Sequence, residues 1–171
     1  MARKQPQQPK AESKPLADAC DSAQALKEFF SAGLGAMKKI ERKSIKVPDT
    51  ALIGGSVALD EAAKESFPQS NRWDYAIEYD GHTFFIEIHP AATSEIDCVI
   101  QKAIFANKWL KDNAPELLKL PKKENGARSF YWVSSGNTDI RVTPGSPQAK
   151  KLALHHIKPV GRIWDYAKLF K

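Results

Sequence analysis

The chain has 171 residues, of which 42% are hydrophobic and 27% charged, so its composition is that of a globular domain rather than a disordered segment. Its longest uncharged, mostly apolar run, residues 51–59, is far shorter than the roughly 20 residues that span a bilayer. We therefore expect no membrane span, and the lack of an apolar signal-peptide core predicts a cytoplasmic location. Two cysteines, Cys20 and Cys98, are too few for a disulfide framework or a zinc site. The net charge of +6 mildly favours a polyanionic partner such as nucleic acid.

Residues 1–20 are rich in Gln, Pro, Lys and Ala, which predicts a flexible basic tail ahead of a single α/β domain over residues 21–171. The first predicted helix begins at Asp21 or Ser22 and ends near Arg42. The later predicted elements are, in chain order, a loop at Gly54-Gly55, a helix over about 57–67, a hairpin over 72–89, a long helix capped by Ser94, strands over 129–135 and 139–143, a helix from Ser146-Pro147 to about His155, and a strand and short helix over 160–171. This order predicts a central mixed sheet with helices on both faces.

The hairpin is the clearest local signal, because Asp80-Gly81 is a preferred two-residue type I′ turn. A two-residue turn fixes the register, so Tyr79 pairs with His82. Alternation then predicts one face that carries the opposed pairs Arg72–His89, Asp74–Glu87, Ala76–Phe85 and Glu78–Thr83. The other face is predicted to be core and carries Trp73, Tyr75, Ile77, Tyr79, Phe84, Ile86 and Ile88.

Two carboxylates, those of Asp74 and Glu87, should therefore face each other across the hairpin, with Cβ atoms roughly 4.5–5.5 Å apart. At an effective dielectric constant of about 20, their repulsion is roughly 3 kcal/mol. A divalent cation, Arg72, a protonated His89 or a shared proton would offset that repulsion. Oxygen ligands of this kind suit Mg²⁺ or Mn²⁺. The alternative is a solvated sheet face on which the two acids pair with Arg72 and nearby lysines.

Charge is also unevenly distributed along the sequence. Residues 60–97 hold nine acids and two bases, a net charge of −7 in a chain whose total is +6. An acidic centre within a basic remainder suits a metal-dependent phosphodiester enzyme, because the acids bind the cation and the bases attract phosphates. The simpler alternative is that acids and bases fall in different structural elements.

An acid on one strand, Glu-x-Lys on the next strand and a following helix form the active-site pattern of the PD-(D/E)XK nuclease superfamily. Asp74, the tripeptide Glu87-Ile88-His89 and the helix after Ser94 resemble that pattern, with His89 in the place of the family's Lys. Trp73 likewise replaces the family's Pro. The resemblance covers about residues 57–135 and implies a restriction-endonuclease-like αβββαβ core.

The resemblance also implies site roles. Asp74, Glu87 and the Ile88 carbonyl would hold Mg²⁺ or Mn²⁺, which would activate a water for attack on the scissile phosphate. His89 would orient or deprotonate that water. Lys102, on the following helix, would replace the missing Lys.

Three further residues enter through the same resemblance. Arg72 is an alternative to the helix lysine for stabilising the charge that develops on the phosphate. Asp60 or Glu61 would supply the additional acid that the preceding helix often contributes in this superfamily.

The sequence thus predicts metal-dependent hydrolysis of nucleic acid. The alternatives are a catalytically inactive nuclease-like fold that binds nucleic acid or a protein, and an unrelated α/β domain. The sequence does not fix the oligomeric state, for which a dimer is one option.

Overall fold

The structure is a computed structural model that describes residues 14–121, 123–124, 127–128, 130–138 and 140–170, with backbone only at 123–124 and 127–128. The helices are α1 (Pro15–Ser22), α2 (Leu59–Lys64), α3 (Ile96–Asn113), α4 (Pro115–Lys119), α5 (Pro147–Leu154) and α6 (Tyr166–Leu169). The strands are β1 (Phe30–Ala32), β2 (Ile45–Lys46), β3 (Ile53–Ala58), β4 (Tyr75–Tyr79), β5 (His82–Pro90), β6 (Lys123–Glu124), β7 (Ala127–Arg128), β8 (Phe130–Ser135), β9 (Ile157–Pro159) and β10 (Trp164–Asp165). Within these described ranges, no helix is long and apolar enough to cross a membrane.

Six strands form the central sheet in the spatial order β1-β3-β4-β5-β8-β9. The pairs from β1 to β5 are antiparallel, whereas β5, β8 and β9 run parallel. Parallel neighbours need a crossover connection, which includes α3 between β5 and β8 and α5 between β8 and β9. The predicted mixed α/β fold with a central mixed sheet is confirmed.

Apolar side chains cover both faces of this sheet. On one face, α1, α3 and α4 pack with Ala76, Phe85 and Phe130. On the other face, Trp164 and the residues of α6 pack with Phe84 and its neighbours. The hairpin face that carries the two acids is therefore covered rather than solvated, and the predicted helices on both faces are confirmed.

The predicted register of the hairpin is also confirmed. Asp80 and Gly81 have φ values of 49° and 71°, as a type I′ turn requires, and Tyr79 pairs with His82. Because both turn residues and the strand alternation are local properties, the sequence alone was sufficient here.

The alternation does not extend beyond the start of β4. The ladder between β4 and β5 ends at the pair of Tyr75 and Ile86. Trp73 was predicted to lie on the face with Tyr75, but it packs with the opposite cluster, 4.8 Å from the ring of Phe130. The prediction was wrong because Trp73 lies before the strand.

The predicted boundary of the N-terminal tail was wrong. The backbone folds as α1 from Pro15, and Leu16 is fully buried, so the domain begins earlier than residue 21. The Leu16 N–H donates a hydrogen bond of 2.7 Å to Oε2 of Glu78, whose side chain is buried. A carboxylate at a helix N-terminus also interacts favourably with the helix dipole. Residues 1–13 of the predicted tail lie outside the described residues.

The prediction of a long helix that ends near Arg42 was wrong as well. The segment after α1 contains turns, β1 and a left-handed Gly33, with φ of 59°. Leu26 belongs to the core on one face of the sheet and Met37 to the core on the other. Helix-like apolar spacing arose because the segment contributes side chains to two separate layers.

The two adjacent glycines lie in a strand rather than in the predicted loop. A Cβ on Gly54 would lie 2.2 Å from Oε1 of Glu78, and one on Gly55 would lie 2.4 Å from the Phe30 ring. These glycines therefore allow the side chains of Glu78 from β4 and Phe30 from β1 to pack closely against β3. The helix predicted over about 57–67 begins only at Leu59, because the preceding residues pair with β4.

Three predictions for the C-terminal half had different outcomes. Ser146 does cap α5, since its Oγ accepts a 3.1 Å hydrogen bond from the Ala149 N–H. Ser94 does not cap α3, because it lies inside a 3-10 turn that leads directly into the helix. Residues 140–143 form no strand, and residue 139 lies outside the described part.

We expect Glu78→Ala to lower the free energy of unfolding by about 1–3 kcal/mol, because it removes the charged acceptor at the start of α1. Urea denaturation measures this change. Glu65→Ala, at an exposed position, is the control and should change stability by less than about 0.5 kcal/mol. Equal effects of the two substitutions would contradict the assignment.

Candidate functional site

The Asp74 and Glu87 side chains lie next to each other, where β4 begins and β5 approaches its end. The Asp74 N–H donates to Oε2 of Glu87 at 3.0 Å, and the Ile88 N–H donates to Oδ2 of Asp74 at 3.0 Å. Each carboxylate therefore accepts a backbone hydrogen bond from the strand of the other. The structure thus brings the two predicted acids together.

Lys102 supplies the positive charge at this pair. It lies three residues after Val99 and so shares the face of α3 that packs against the sheet. Its Nζ forms an ion pair with Oε1 of Glu87 and lies 3.7 Å from Oδ1 of Asp74. The Glu87 side chain is 0% exposed, so Lys102 is the cation that neutralises a fully buried carboxylate.

The electrostatics of the pair are unfavourable despite this lysine. Burial, followed by the charge of Glu87, raises the pKa of Asp74 to about 7, although Lys102 acts in the opposite direction. Burial by itself would lower the pKa of Lys102, but the Glu87 and Asp74 carboxylates outweigh it and raise that pKa. Burial and the neighbouring carboxylate therefore disfavour the charged form of Asp74, and a further cation would favour it.

Glu41 is a third acid near the pair, and the sequence analysis did not identify it. Its Oε2 accepts a 2.6 Å hydrogen bond from the Tyr75 hydroxyl, and its charge contributes to the raised pKa of Asp74. The sequence carries no local signal for this role, because Glu41 reaches the site only through the irregular chain before β2.

His89 lies between two carboxylates. Its Nδ1 is 3.5 Å from Oε1 of Glu87, and its Nε2 is 2.6 Å from Oε2 of Glu95. The hydrogen bond to Glu87 and then that to Glu95 raise the pKa of His89 against the effect of burial. An ionised carboxylate only accepts hydrogen bonds, so these two contacts favour the protonated ring, in which both nitrogens donate. In this state His89 has no lone pair with which to deprotonate water.

Arg72 was predicted to lie opposite His89, but the structure places its side chain elsewhere. Its Nε bonds Oδ1 of Asp60 at 2.8 Å, and its Nη1 bonds the carbonyl oxygens of three residues, those of Phe67, Pro68 and Ser70. The reason is the same as for Trp73: Arg72 precedes β4, so strand alternation does not apply to it. Through these contacts, the Arg72 side chain stabilises the loop after α2.

The two residues predicted as an additional acid also lie apart from the pair. The carboxylate of Asp60 bonds Arg72, and the exposed Glu61 lies 3.5 Å from Lys64 on the surface of α2. The acid that does influence Asp74 is Glu41, from a different segment.

The residues offer two sets of metal donors. The first is the oxygen set of Asp74 and Glu87, for which the Ile88 carbonyl stays a predicted third ligand. The second is mixed: among the residues that the structure describes, only His89, Glu95 and Cys98 form a group of three His, Cys, Asp or Glu side chains with ligand atoms within 4.8 Å of one another. From the sequence, the two cysteines were too few to predict a zinc site, and Glu95 was not singled out.

An open cleft of about 630 Å³ is lined by Ile88, which follows Glu87 in β5, and by Glu41, but not by Asp74, Glu87 or Lys102. Its lining includes Glu41, Lys43, Asn137 and Arg162. Glu41 therefore relates the cleft to the acid pair, because it lines the cleft and its charge contributes to the raised pKa of Asp74.

Comparison of the chain with protein-family models, with curated proteins and with solved structures finds no match.

Asp74→Asn should stabilise the fold at alkaline pH. Because folding raises the pKa of Asp74, its carboxyl group lowers the free energy of unfolding as the pH rises from about 4 to about 7, and the loss is complete above that range. Asparagine keeps an acceptor for the Ile88 N–H. We expect the variant to exceed the wild type by about 1–3 kcal/mol at pH 8 and by much less at pH 5. Urea denaturation at both pH values measures the gap, and a less stable variant at pH 8 contradicts the expectation.

Proposed function

We propose that this chain is a metal-dependent nuclease that hydrolyses phosphodiester bonds in nucleic acid. The observation that carries the proposal is the convergence of Asp74, Glu87 and Lys102 at one point. Two carboxylates and an ammonium group come from three elements that are separate in sequence, and the balance of charge there is unfavourable for the fold. Perturbed titratable groups in such an arrangement are typical of functional sites.

The order of elements supports a restriction-endonuclease-like core. An N-terminal helix, α1, precedes the antiparallel strands β3, β4 and β5, and the crossover that contains α3 returns the chain to β8, parallel to β5. With β1, β2 and α2 counted as additions, this order is similar to the αβββαβ order that the resemblance to PD-(D/E)XK nucleases implies. Asp74 would then precede the second strand of that core, and Glu87 would lie near the end of the third.

The donor set fits Mg²⁺ or Mn²⁺. Hard divalent ions bind carboxylate oxygens, and burial followed by the charge of Glu87 raises the pKa of Asp74 more than Lys102 lowers it. Asp74 and Glu87 would hold the ion. When bound, such an ion polarises a phosphate oxygen and lowers the pKa of a coordinated water.

Lys102 would take the part of the lysine that the family carries two residues after the glutamate. Its ammonium group is fixed by Glu87 and Asp74, so it is oriented before substrate binds. Its charge would stabilise the negative charge that builds up on the phosphate. His89 contacts Glu87 and would position that carboxylate, while its role as a general base remains a prediction.

The cleft beside Ile88 would admit the nucleic acid. Lys43 and Arg162 on its lining suit contacts with phosphate oxygens, which supply most of the affinity of such complexes. The positive charge outside residues 60–97 would add long-range attraction.

A second candidate is an inactive nuclease-like fold that binds nucleic acid or a protein. The observation that favours it is His89 at the family's lysine position, together with the ion pair by which Lys102 already neutralises Glu87. Salt-dependent DNA or RNA binding without Mn²⁺ binding would identify this alternative.

We expect the wild type to bind Mn²⁺ and Glu87→Gln to bind it at least tenfold more weakly, because the substitution removes a charged oxygen ligand. Isothermal titration calorimetry measures both. Glu61→Gln makes the same change of charge at an exposed position and should bind like the wild type. If the wild type shows no Mn²⁺ binding, the nuclease proposal fails.

Lys102→Gln should reduce cleavage by about 10²–10³-fold while Mn²⁺ binding is retained, because it removes charge stabilisation from the reacting phosphate. Single-stranded, duplex and branched DNA and RNA serve as substrates, with Mn²⁺ present. Lys108→Gln, on the exposed side of the same helix, is the matched control. Wild-type activity in Lys102→Gln, with its fold verified by thermal unfolding, would remove Lys102 from the mechanism.

A further inference from the structure

Three side chains with different donor atoms meet where β5 leads into α3. His89 lies near the end of β5, Glu95 ends the 3-10 turn before α3, and Cys98 lies in the first turn of the helix. Glu95 and Cys98 are three residues apart and therefore project from the same side of the helical backbone. With His89 they place an imidazole nitrogen, a carboxylate oxygen and a thiol within 4.8 Å of one another.

The separations suit a four-coordinate ion. Zinc bonds of about 2.0 Å to nitrogen and oxygen and about 2.3 Å to sulfur place neighbouring ligand atoms roughly 3.3–3.6 Å apart. The hydrogen bond of 2.6 Å between His89 and Glu95 would open by about 0.7 Å, and the thiol, within 4.8 Å of the other two ligand atoms, would approach by at most about 1.3 Å. Glu95 is one-third exposed and Cys98 half-buried, so side-chain rotations can supply both movements.

A second observation concerns the orientation of the histidine ring. Oε1 of Glu87 lies 3.5 Å from Nδ1 of His89, on the side of the ring opposite Nε2. Histidines that bind metals usually donate their other ring N–H to a carboxylate, which fixes the ring and strengthens the ligand. The buried Glu87 is placed to do this for Nε2 of His89.

We propose that His89 Nε2, Glu95 and Cys98 Sγ form a second metal site, separate from the acid pair, for a borderline transition-metal ion of the Zn²⁺ and Co²⁺ class. Nitrogen and sulfur donors select such ions over Mg²⁺. Three protein ligands leave one position open, as in catalytic rather than structural zinc sites. Binding releases the Nε2 and thiol protons to solvent. When an ion is bound to Nε2 of His89, Nδ1 of the same ring still faces Glu87. His89 can then orient the Glu87 carboxylate.

Titration of the wild type with Co²⁺ tests the proposal. A thiolate-to-cobalt charge-transfer band in the near ultraviolet reports a Co²⁺–sulfur bond, and the visible ligand-field bands report four-coordination. The chain has two cysteines, so variants of each are needed to identify the source of the band. We expect one Co²⁺ per chain with this band, its loss in Cys98→Ser and its retention in Cys20→Ala. Zn²⁺ should displace the Co²⁺, and Mg²⁺ should not.

The outcomes separate this site from the acid pair. Asp74→Asn should keep the Co²⁺ band, and Cys98→Ser should keep Mn²⁺ binding, because each variant changes only one set of ligands. His89→Gln and Glu95→Gln should each weaken Co²⁺ binding at least tenfold. The proposal is overturned if the wild type shows no charge-transfer band at saturating Co²⁺, if folded Cys98→Ser retains it, or if Mg²⁺ removes it.

Discussion

The fully buried carboxylate of Glu87 requires compensation, and several elements supply it. Lys102 reaches it from α3, the Asp74 N–H donates to it from the start of β4, and His89 approaches it along β5. Loss of one partner from a buried ion pair costs several kcal/mol, because it leaves an uncompensated charge in the interior. The ion pair of Lys102 and Glu87 thus joins the crossover helix to the hairpin within a largely apolar interface.

The same group links two sets of metal donors that suit different ions. Asp74 and Glu87 offer only oxygens, whereas Glu95 and Cys98 add oxygen and sulfur to a histidine nitrogen. His89 contacts Glu87 on one side and Glu95 on the other. An ion bound by either set of donors would therefore change the electrostatic environment of the other set. The two proposed metal sites are thus connected through the contact between His89 and Glu87, but mutations can change the ligands of one site without changing those of the other.

The acid pair works against the stability of the fold near neutral pH. Burial and Glu87 raise the pKa of Asp74 to about 7, and Glu41 adds to the effect. The two apolar layers on either side of the sheet supply the stability that makes such an arrangement tolerable. A buried pair of acids that is costly to maintain in the folded protein is typical of functional sites.

The sequence by itself determined the hairpin and the meeting of Asp74 with Glu87, because a two-residue turn and strand alternation are local constraints. It also indicated Lys102, through the resemblance, although not its contacts. Only the tertiary structure decided that Glu41 and Cys98 join this region, since they arrive from an irregular segment and from a helix start whose positions depend on long-range packing. The same packing divided the N-terminal segment between two layers, which no helical periodicity in the sequence could reveal.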